Sequence, residues 1–333
     1  MTPSITTYYV VDAFTSVPFA GNAAGVMVCG GEPGDTCLRL LGGRSHPARL
    51  SCLSPLARPA GSSAETGDPS PLSLMQQVAA EVNLSETAFT WKAAGSAEYA
   101  IRYFTPTVEI ALCGHATLAA AKVLWGTGAV PSSEAIVFRT GVGGQELRCA
   151  FKGGRIEMVF PGDQLDAVEG EEKAELLGAF GCGGDFRALG AYKGRLNQDY
   201  LLAVPEEVFS RLDRCLNMQR IQEVNERYGV RGVIVTARAG GREVADGGVA
   251  VADGGVAVDI KSRFFSPNAG IPEDPVTGSS FPTLAAFYKL SKFVGLQDHP
   301  RRKGIVHVER LEESGQTAIS GDAVIVSRNE WLV

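Results

Sequence analysis

The sequence predicts an α+β protein made of two similar lobes, each with a buried helix at its centre. Three observations carry this. Arg102-Tyr103-Phe104-Thr105-Pro106 is followed by a polar turn at Cys113-Gly114-His115 and an apolar run over 116–125. The same order returns in the second half, as Arg263-Phe264-Phe265-Ser266-Pro267, then Thr277-Gly278-Ser279-Ser280, then an apolar run over 281–290. Both runs are apolar on nearly every face, the mark of a helix buried in a core rather than laid on a surface. One copy of the pattern in each half of 333 residues points to lobes related by a pseudo-twofold axis. The same relation brings two glycine-led helix starts toward one interlobe cleft.

Taken in order, residues 8–27 read as a strand, a turn around Pro18-Phe19-Ala20-Gly21-Asn22, and a second apolar strand ending near Cys29. The stretch 31–70 is rich in Gly, Pro, Ser and Arg and lacks apolar periodicity, so a surface loop or disordered insert is expected there. Leu74, Met75, Val78, Ala79 and Val82 then recur at helical spacing, with Asn83 as C-terminal cap. Strands follow over 88–91 and 100–104, and Gly126 and Gly128 stop the central helix. The second half opens with strands over 135–139, 146–151 and 155–160, then helices over 204–212 and 218–228 and a strand over 232–237. A tandem VADGGVA at 244–250 and 251–257 places an Asp-Gly turn signal in each copy, as short hairpins require. Pro282 suits the first turn of the second central helix, where its missing N–H costs nothing.

Composition excludes several classes of function. The formal charge is −6, with no basic block to hold a phosphate backbone, so no nucleic-acid partner is expected. No apolar run approaches a membrane span, and the first residues lack the charged start and cleavage site of a signal peptide, so a cytoplasmic protein is expected. Seven cysteines without C-x-x-C pairs read as free thiols in a reducing compartment. The phosphate-loop, dinucleotide-fingerprint and nucleophile-elbow patterns are missing from the sequence. Side chains and backbone alone are therefore expected to do the chemistry, with no cofactor and no metal.

Several residues are candidates for it. The helix starts at Cys113-Gly114-His115 and Thr277-Gly278-Ser279 offer backbone N–H groups and a dipole to a carboxylate; ordinary capping by Ser279 or Ser280 is the plainer alternative. Glu86, in a polar tripeptide between Leu84 and Phe89, is either a solvated turn residue or a carboxylate whose burial raises its pKa toward neutrality. His115 is a cap or a catalyst, and Asp274 orients such a histidine, binds a polar substrate group or serves a turn. Cys113 is a base or nucleophile with a pKa lowered by the helix start, or a small packing residue.

Four ordered motifs resemble the phenazine-biosynthesis PhzF-like family. They are Asp12-Ala13-Phe14-Thr15 with Pro18 to Asn22; Asn83-Leu84-Ser85-Glu86-Thr87-Ala88-Phe89; Arg102 to Pro106 with Glu109 and Cys113 to Leu118; and Arg263 to Pro267 with Gly270 to Ser279. The resemblance implies the diaminopimelate epimerase-like fold, with a sheet wrapped around a central helix in each lobe. It places the first lobe at 1–130, completed by a C-terminal strand at about 318–333, and the second at 131–317. It implies a cofactor-independent isomerase and commonly a homodimer. Glu86 would move a proton on a small carboxylated metabolite, with His115 and Asp274 as further catalytic groups. Asn22, Cys113, Gly114, Thr277, Gly278 and Ser279 would bind the substrate. Family relatives with two opposed cysteine bases are distinguished from this chain by Thr277. A non-catalytic binding protein and a lyase or epimerase using Cys113 remain the alternatives.

Overall fold

The computed structural model describes residues 5–29, 70–93, 95–180, 188–240, 250–251 and 256–332. The chain divides into two compact units: the described parts of Met1–Phe19, Ala23–Met158 and Asp322–Val333, and those of Ala20–Asn22 and Val159–Gly321. The insert expected at 31–70 lies outside the described residues, apart from Ser70.

The first unit carries β1 (Ile5–Ala13), all but the first residue of β2 (Asn22–Cys29), α1 (Pro71–Val82), β3 (Glu86–Lys92), β4 (Tyr99–Phe104), β5 (Glu109–Ile110), α2 (Gly114–Gly126), β6 (Ile136–Thr140), β7 (Glu146–Lys152) and most of β8 (Arg155–Pro161). The C-terminal strand β20 (Ala323–Leu332) returns to it and pairs antiparallel with β1. α1 starts where the Ser70 hydroxyl accepts from the Ser73 N–H and Pro71 takes a first-turn position. It ends at Asn83, which adopts the left-handed conformation with φ 52°, as the sequence predicts. α2 is buried at ten of its 13 positions, so it has no solvent face. Its run of alanines lets β1, β3 and β20 pack close around it.

The sequence divides the lobes after residue 130, whereas in the structure residues 131–158 stay with the first unit. β6 pairs in parallel with β4, with Tyr99 opposite Phe138, and β7 and β8 extend the sheet antiparallel. A strand's own periodicity shows which face is buried but not which strand it joins.

The second unit carries β9 (Leu165–Ala167), α3 (Gly170–Gly178), β10 (Gly190–Gly194), β11 (Tyr200–Ala203), α4 (Glu206–Phe209), α5 (Met218–Tyr228), β12 (Val233–Arg238), β13 (Ala250–Val251), β14 (Ala257–Val258), β15 (Ile260–Ser266), β16 (Ile271–Asp274), α6 (Phe281–Tyr288), β17 (Lys292–Gln297), β18 (Gly304–Leu311) and β19 (Gln316–Gly321). α5 matches the expected span, opened by the Asn217 side chain and closed by Gly229 at φ 62°. α4 is shorter than expected because the chain turns through a 3₁₀ segment at Leu212–Arg214. α3 escapes the periodicity argument because only Leu176 is buried. β13 and β14 form the end of the expected hairpin; most of the repeat lies outside the described residues.

The duplication is present in the strand pairings. In the first unit β2 and β3 are parallel, β3–β4 and β4–β5 antiparallel, β4 and β6 parallel, and β6–β7 and β7–β8 antiparallel. In the second, β11 and β12 are parallel, β12–β15 and β15–β16 antiparallel, β15 and β17 parallel, and β17–β18 and β18–β19 antiparallel. Among the described residues no helix is long and apolar enough to cross a membrane. Cys29, Cys113 and Cys149 are free and buried. Cys215 is disulfide-bonded, which corrects the expectation of free thiols throughout.

Candidate active site

In the first unit, Glu86 opens β3 and His115 is the second residue of α2, so a strand start and a helix start bring the two side chains together. Both are buried. Glu86 Oε2 lies 3.0 Å from His115 Nε2. The Ser85 hydroxyl lies 3.3 Å from the same nitrogen and donates to the Ala23 carbonyl at 3.3 Å. Cys113 Sγ approaches His115 Nδ1 at 3.4 Å. Imidazole is thus bracketed by a carboxylate and a thiol.

The electrostatics correct two expectations. Burial pushes the Glu86 carboxyl up, but the charge of His115, followed by polar contacts with His115, Ser85 and Cys113, outweighs it, so the group is held below the ordinary carboxylate value. Sequence reasoning saw the burial and not the partner. Burial likewise opposes a charge on His115, yet Cys113 and Glu86 hold it well above the ordinary imidazole value. Both directions favour the charged forms, a carboxylate on Glu86 and an imidazolium on His115. Cys113 is raised, chiefly by burial and then by the Glu86 charge, whereas the helix start alone was expected to lower it. Glu86, Cys113 and His115 also offer one oxygen, one sulfur and one nitrogen within 4.8 Å of one another, a donor set that could hold a metal ion.

In the second unit, Asp274 ends β16 and is buried among polar partners. Asn22 Nδ2 donates to Asp274 Oδ1 at 2.8 Å and to the Val276 carbonyl at 3.0 Å. The Thr277 hydroxyl donates to Asp274 Oδ2. Gln297, at the end of β17, closes the cluster: its Oε1 accepts from the Thr277 N–H at 2.8 Å, and its Nε2 donates to the Asp274 carbonyl at 2.7 Å.

α2 opens at Gly114, whereas α6 is entered through a three-residue 3₁₀ turn at Gly278–Ser280, and neither start is capped by a side chain. Cys113 and Thr277 make no capping hydrogen bond, and Ser280 donates backward to the Thr277 carbonyl at 2.8 Å. The Ser279 hydroxyl accepts from Arg231 Nη1 at 2.8 Å. The plain capping role for these serines is thus replaced by other bonds.

The structure places the predicted residues in two groups: Glu86, Cys113, Gly114 and His115 in the first unit, and Asn22, Asp274, Thr277, Gly278 and Ser279 in the second. Sequence reasoning missed Ser85, Gln297, and Arg231 with its partner Asp199. For Arg231 a signal existed, an arginine two residues ahead of an apolar strand in the position that matches Ser85. Only alignment of the two units through their strand registers reveals it.

A family model for phenazine biosynthesis-like proteins matches residues 68–329. An uncharacterised isomerase of Halalkalibacterium halodurans is 31% identical over 98% of this chain and 99% of its own. A crystal structure of a PhzF-family phenazine biosynthesis protein from Enterococcus faecalis superposes with a TM-score of 0.70 at 28% identity, covering 99% of this chain and 100% of that one. The structure of a predicted epimerase from Pseudomonas aeruginosa, 20% identical, shares the fold with a TM-score of 0.66 over 98% of this chain and 99% of that one. The chain therefore belongs to the phenazine biosynthesis-like family, isomerases built on the diaminopimelate epimerase-like fold.

Proposed function

We propose that this protein is a cofactor-independent isomerase that moves a proton between two carbons of a small carboxylated metabolite, with Glu86 as the acid–base group. The observation that carries this is the buried Glu86–His115 pair, which holds an ionised carboxylate away from water. Glu86 takes a proton from a carbon made acidic by its neighbours and becomes a carboxylic acid. It then returns that proton to a different carbon and is restored as the carboxylate. Atoms and charge balance without a co-reactant. The His115 imidazolium offsets the negative charge that develops on the substrate between the two steps.

The uncapped helix starts at Gly114-His115 and Gly278-Ser279 supply N–H groups suited to a carboxylate, and Asp274 with Asn22 and Thr277 supplies a fixed polar cluster for a hydroxyl or amino group. A homodimer in the cytoplasm is part of the same proposal, carried by the family resemblance. Chemistry by Cys113 is the weaker reading, because the thiol is raised rather than lowered.

The test is proton exchange in deuterated water. Small amino and hydroxy acids, with dihydro-hydroxyanthranilate among them, are incubated with wild type and with Glu86→Gln and read by NMR. Deuterium incorporation by wild type alone supports the proposal. A Glu86→Gln protein that exchanges as fast as wild type refutes the role of Glu86.

A further inference from the structure

We propose that Arg231 is a positioning residue: anchored by Asp199, it fixes the Ser279 hydroxyl as a hydrogen-bond donor toward an anionic group of the substrate. The proposal rests on the reading of Ser279 as a substrate-binding residue.

Its starting point is the register of the duplicated sheets. Thr87 on β3 lies opposite Phe104, and Val233 on β12 lies opposite Phe265. Phe104 and Phe265 occupy the same place in Arg102-Tyr103-Phe104 and Arg263-Phe264-Phe265, so Thr87 corresponds to Val233. Counting back, Glu86 corresponds to Gly232 and Ser85 to Arg231. Likewise Cys113 and Thr277 precede the glycines of the two helix starts, so His115 corresponds to Ser279. The 3.3 Å approach of Ser85 to His115 in the first unit is therefore matched by the 2.8 Å bond from Arg231 to Ser279 in the second.

The geometry sets the direction of that bond. Asp199 is fully buried and receives Arg231 Nε at 2.8 Å and Nη2 at 2.5 Å, a two-pronged contact that locks the guanidinium plane. The guanidinium also lies over the Phe264 ring, 5.1 Å from its centre. Nη1 is the arm that meets Ser279 Oγ. A guanidinium has no acceptor, so the serine oxygen must accept there, and its own hydrogen is left to point elsewhere as a donor. Asn197 Nδ2 holds the Ser279 carbonyl at 2.9 Å, fixing the backbone that carries the hydroxyl. A hydroxyl polarised by a cation on one side donates best to negative charge on the other.

The experiment titrates the whole protein with benzoate and with its neutral counterpart benzamide, read by ligand-observed NMR. Ser279→Ala and Arg231→Lys are each expected to weaken benzoate binding about tenfold, with less than a twofold effect on benzamide, because hydrogen bonds to charged groups are the stronger class. In a Ser279→Ala background, Arg231→Lys is expected to add less than about twofold, since the two act through one bond. Lysine keeps a positive charge beside Asp199; should it fail to fold, the double variant Asp199→Asn, Arg231→Gln removes both charges and is read the same way. Full additivity of the two substitutions, equal losses on benzamide, or no benzoate binding by wild type overturns the proposal. Glu86→Gln serves as the separate control. If it exchanges protons as wild type does, the Glu86 reading fails while the benzoate pattern stands or falls alone.

Discussion

The first unit begins β3 with Glu86, while the second begins the matching stretch with Gly232, where a side chain does not fit. A Cβ at Gly232 would lie 2.8 Å from the Phe265 carbonyl oxygen and 2.5 Å from the Phe264 ring. The same order of strand pairings thus holds a carboxylate in one unit and excludes one from the other. Around these positions the polar equipment differs in kind. The first unit carries groups that hold or move a proton, namely Glu86, His115 and Cys113. The second carries amides and hydroxyls gathered on the Asp274 carboxylate, and one guanidinium gripped by Asp199. The same order of strands occurs twice, and the two copies differ in the residues at their strand and helix starts.

The largest effect that would break this contrast concerns Glu86. Replacing it by Gln removes the base and retains the shape, and the exchange rate on a responsive substrate is expected to fall by about 10²–10⁴-fold. If the fall is no more than a few-fold, proton transfer does not belong to the first unit.

A second pair of variants compares two arginines at equivalent strand positions. Arg102 is buried and reaches Glu109 through Nη1 alone, at 2.8 and 3.1 Å, while its Nε has no hydrogen-bond partner among the described residues. Arg263 is equally buried but engages Glu273 through Nε and Nη2, with Nη1 on Asp213. Glu109→Gln strips Arg102 of its carboxylate and is expected to cost about 3–5 kcal/mol. Glu273→Gln leaves Asp213 in place and is expected to cost about 1–3 kcal/mol. Urea unfolding of both variants checks the order, and a reversed order would show that the second carboxylate does not share the load. Gly232→Ala belongs in the same range, at about 1–3 kcal/mol, because the carbonyl it meets is backbone.

These comparisons show what was legible in the sequence. The two central helices were visible because each is apolar on all faces; Pro282 marked the first turn of the second, and Asn83 marked the end of α1, both through local backbone chemistry. Glu86 and His115 were found as residues, but their mutual contact spans 29 positions and rests on the pairing of β3 with its neighbours, which no local pattern encodes. Hence the sign of the Glu86 shift was misjudged. Gln297 and Arg231 stayed hidden for the same reason: a polar residue at a strand end looks like any other until the fold supplies its partner.

The pH profile isolates that partner's contribution. Glu86 is depressed, so its ionised form and the stability it contributes are present above the ordinary carboxylate value and lost as pH falls through the lower folded value. His115 is raised, so its contribution is full below the ordinary imidazole value and lost as pH rises through the higher folded value. Activity that needs both charges is flat between those limits. In His115→Asn the burial of Glu86 remains but the opposing charge is gone. The acid limb of kcat/KM is expected to move upward, above the ordinary carboxylate value. An unmoved limb would mean that His115 does not set the state of Glu86.

The smallest expected effect concerns Cys113. Its thiol is raised first by burial and then by the Glu86 charge, against the influence of His115. Iodoacetamide should therefore modify Cys113 at pH 7 more slowly than it modifies a free thiol, since the thiolate is the reacting form. Glu86→Gln removes one of the two causes that raise it and leaves the imidazole in place. Modification should then quicken by a few-fold, read at Cys113 by peptide mass spectrometry. If the wild-type thiol reacts rapidly and Glu86→Gln slows it, the first unit is organised around the sulfur rather than the carboxylate. The contrast with Thr277, which offers only a hydroxyl at the matching position, would then lie in nucleophilic chemistry and not in proton transfer.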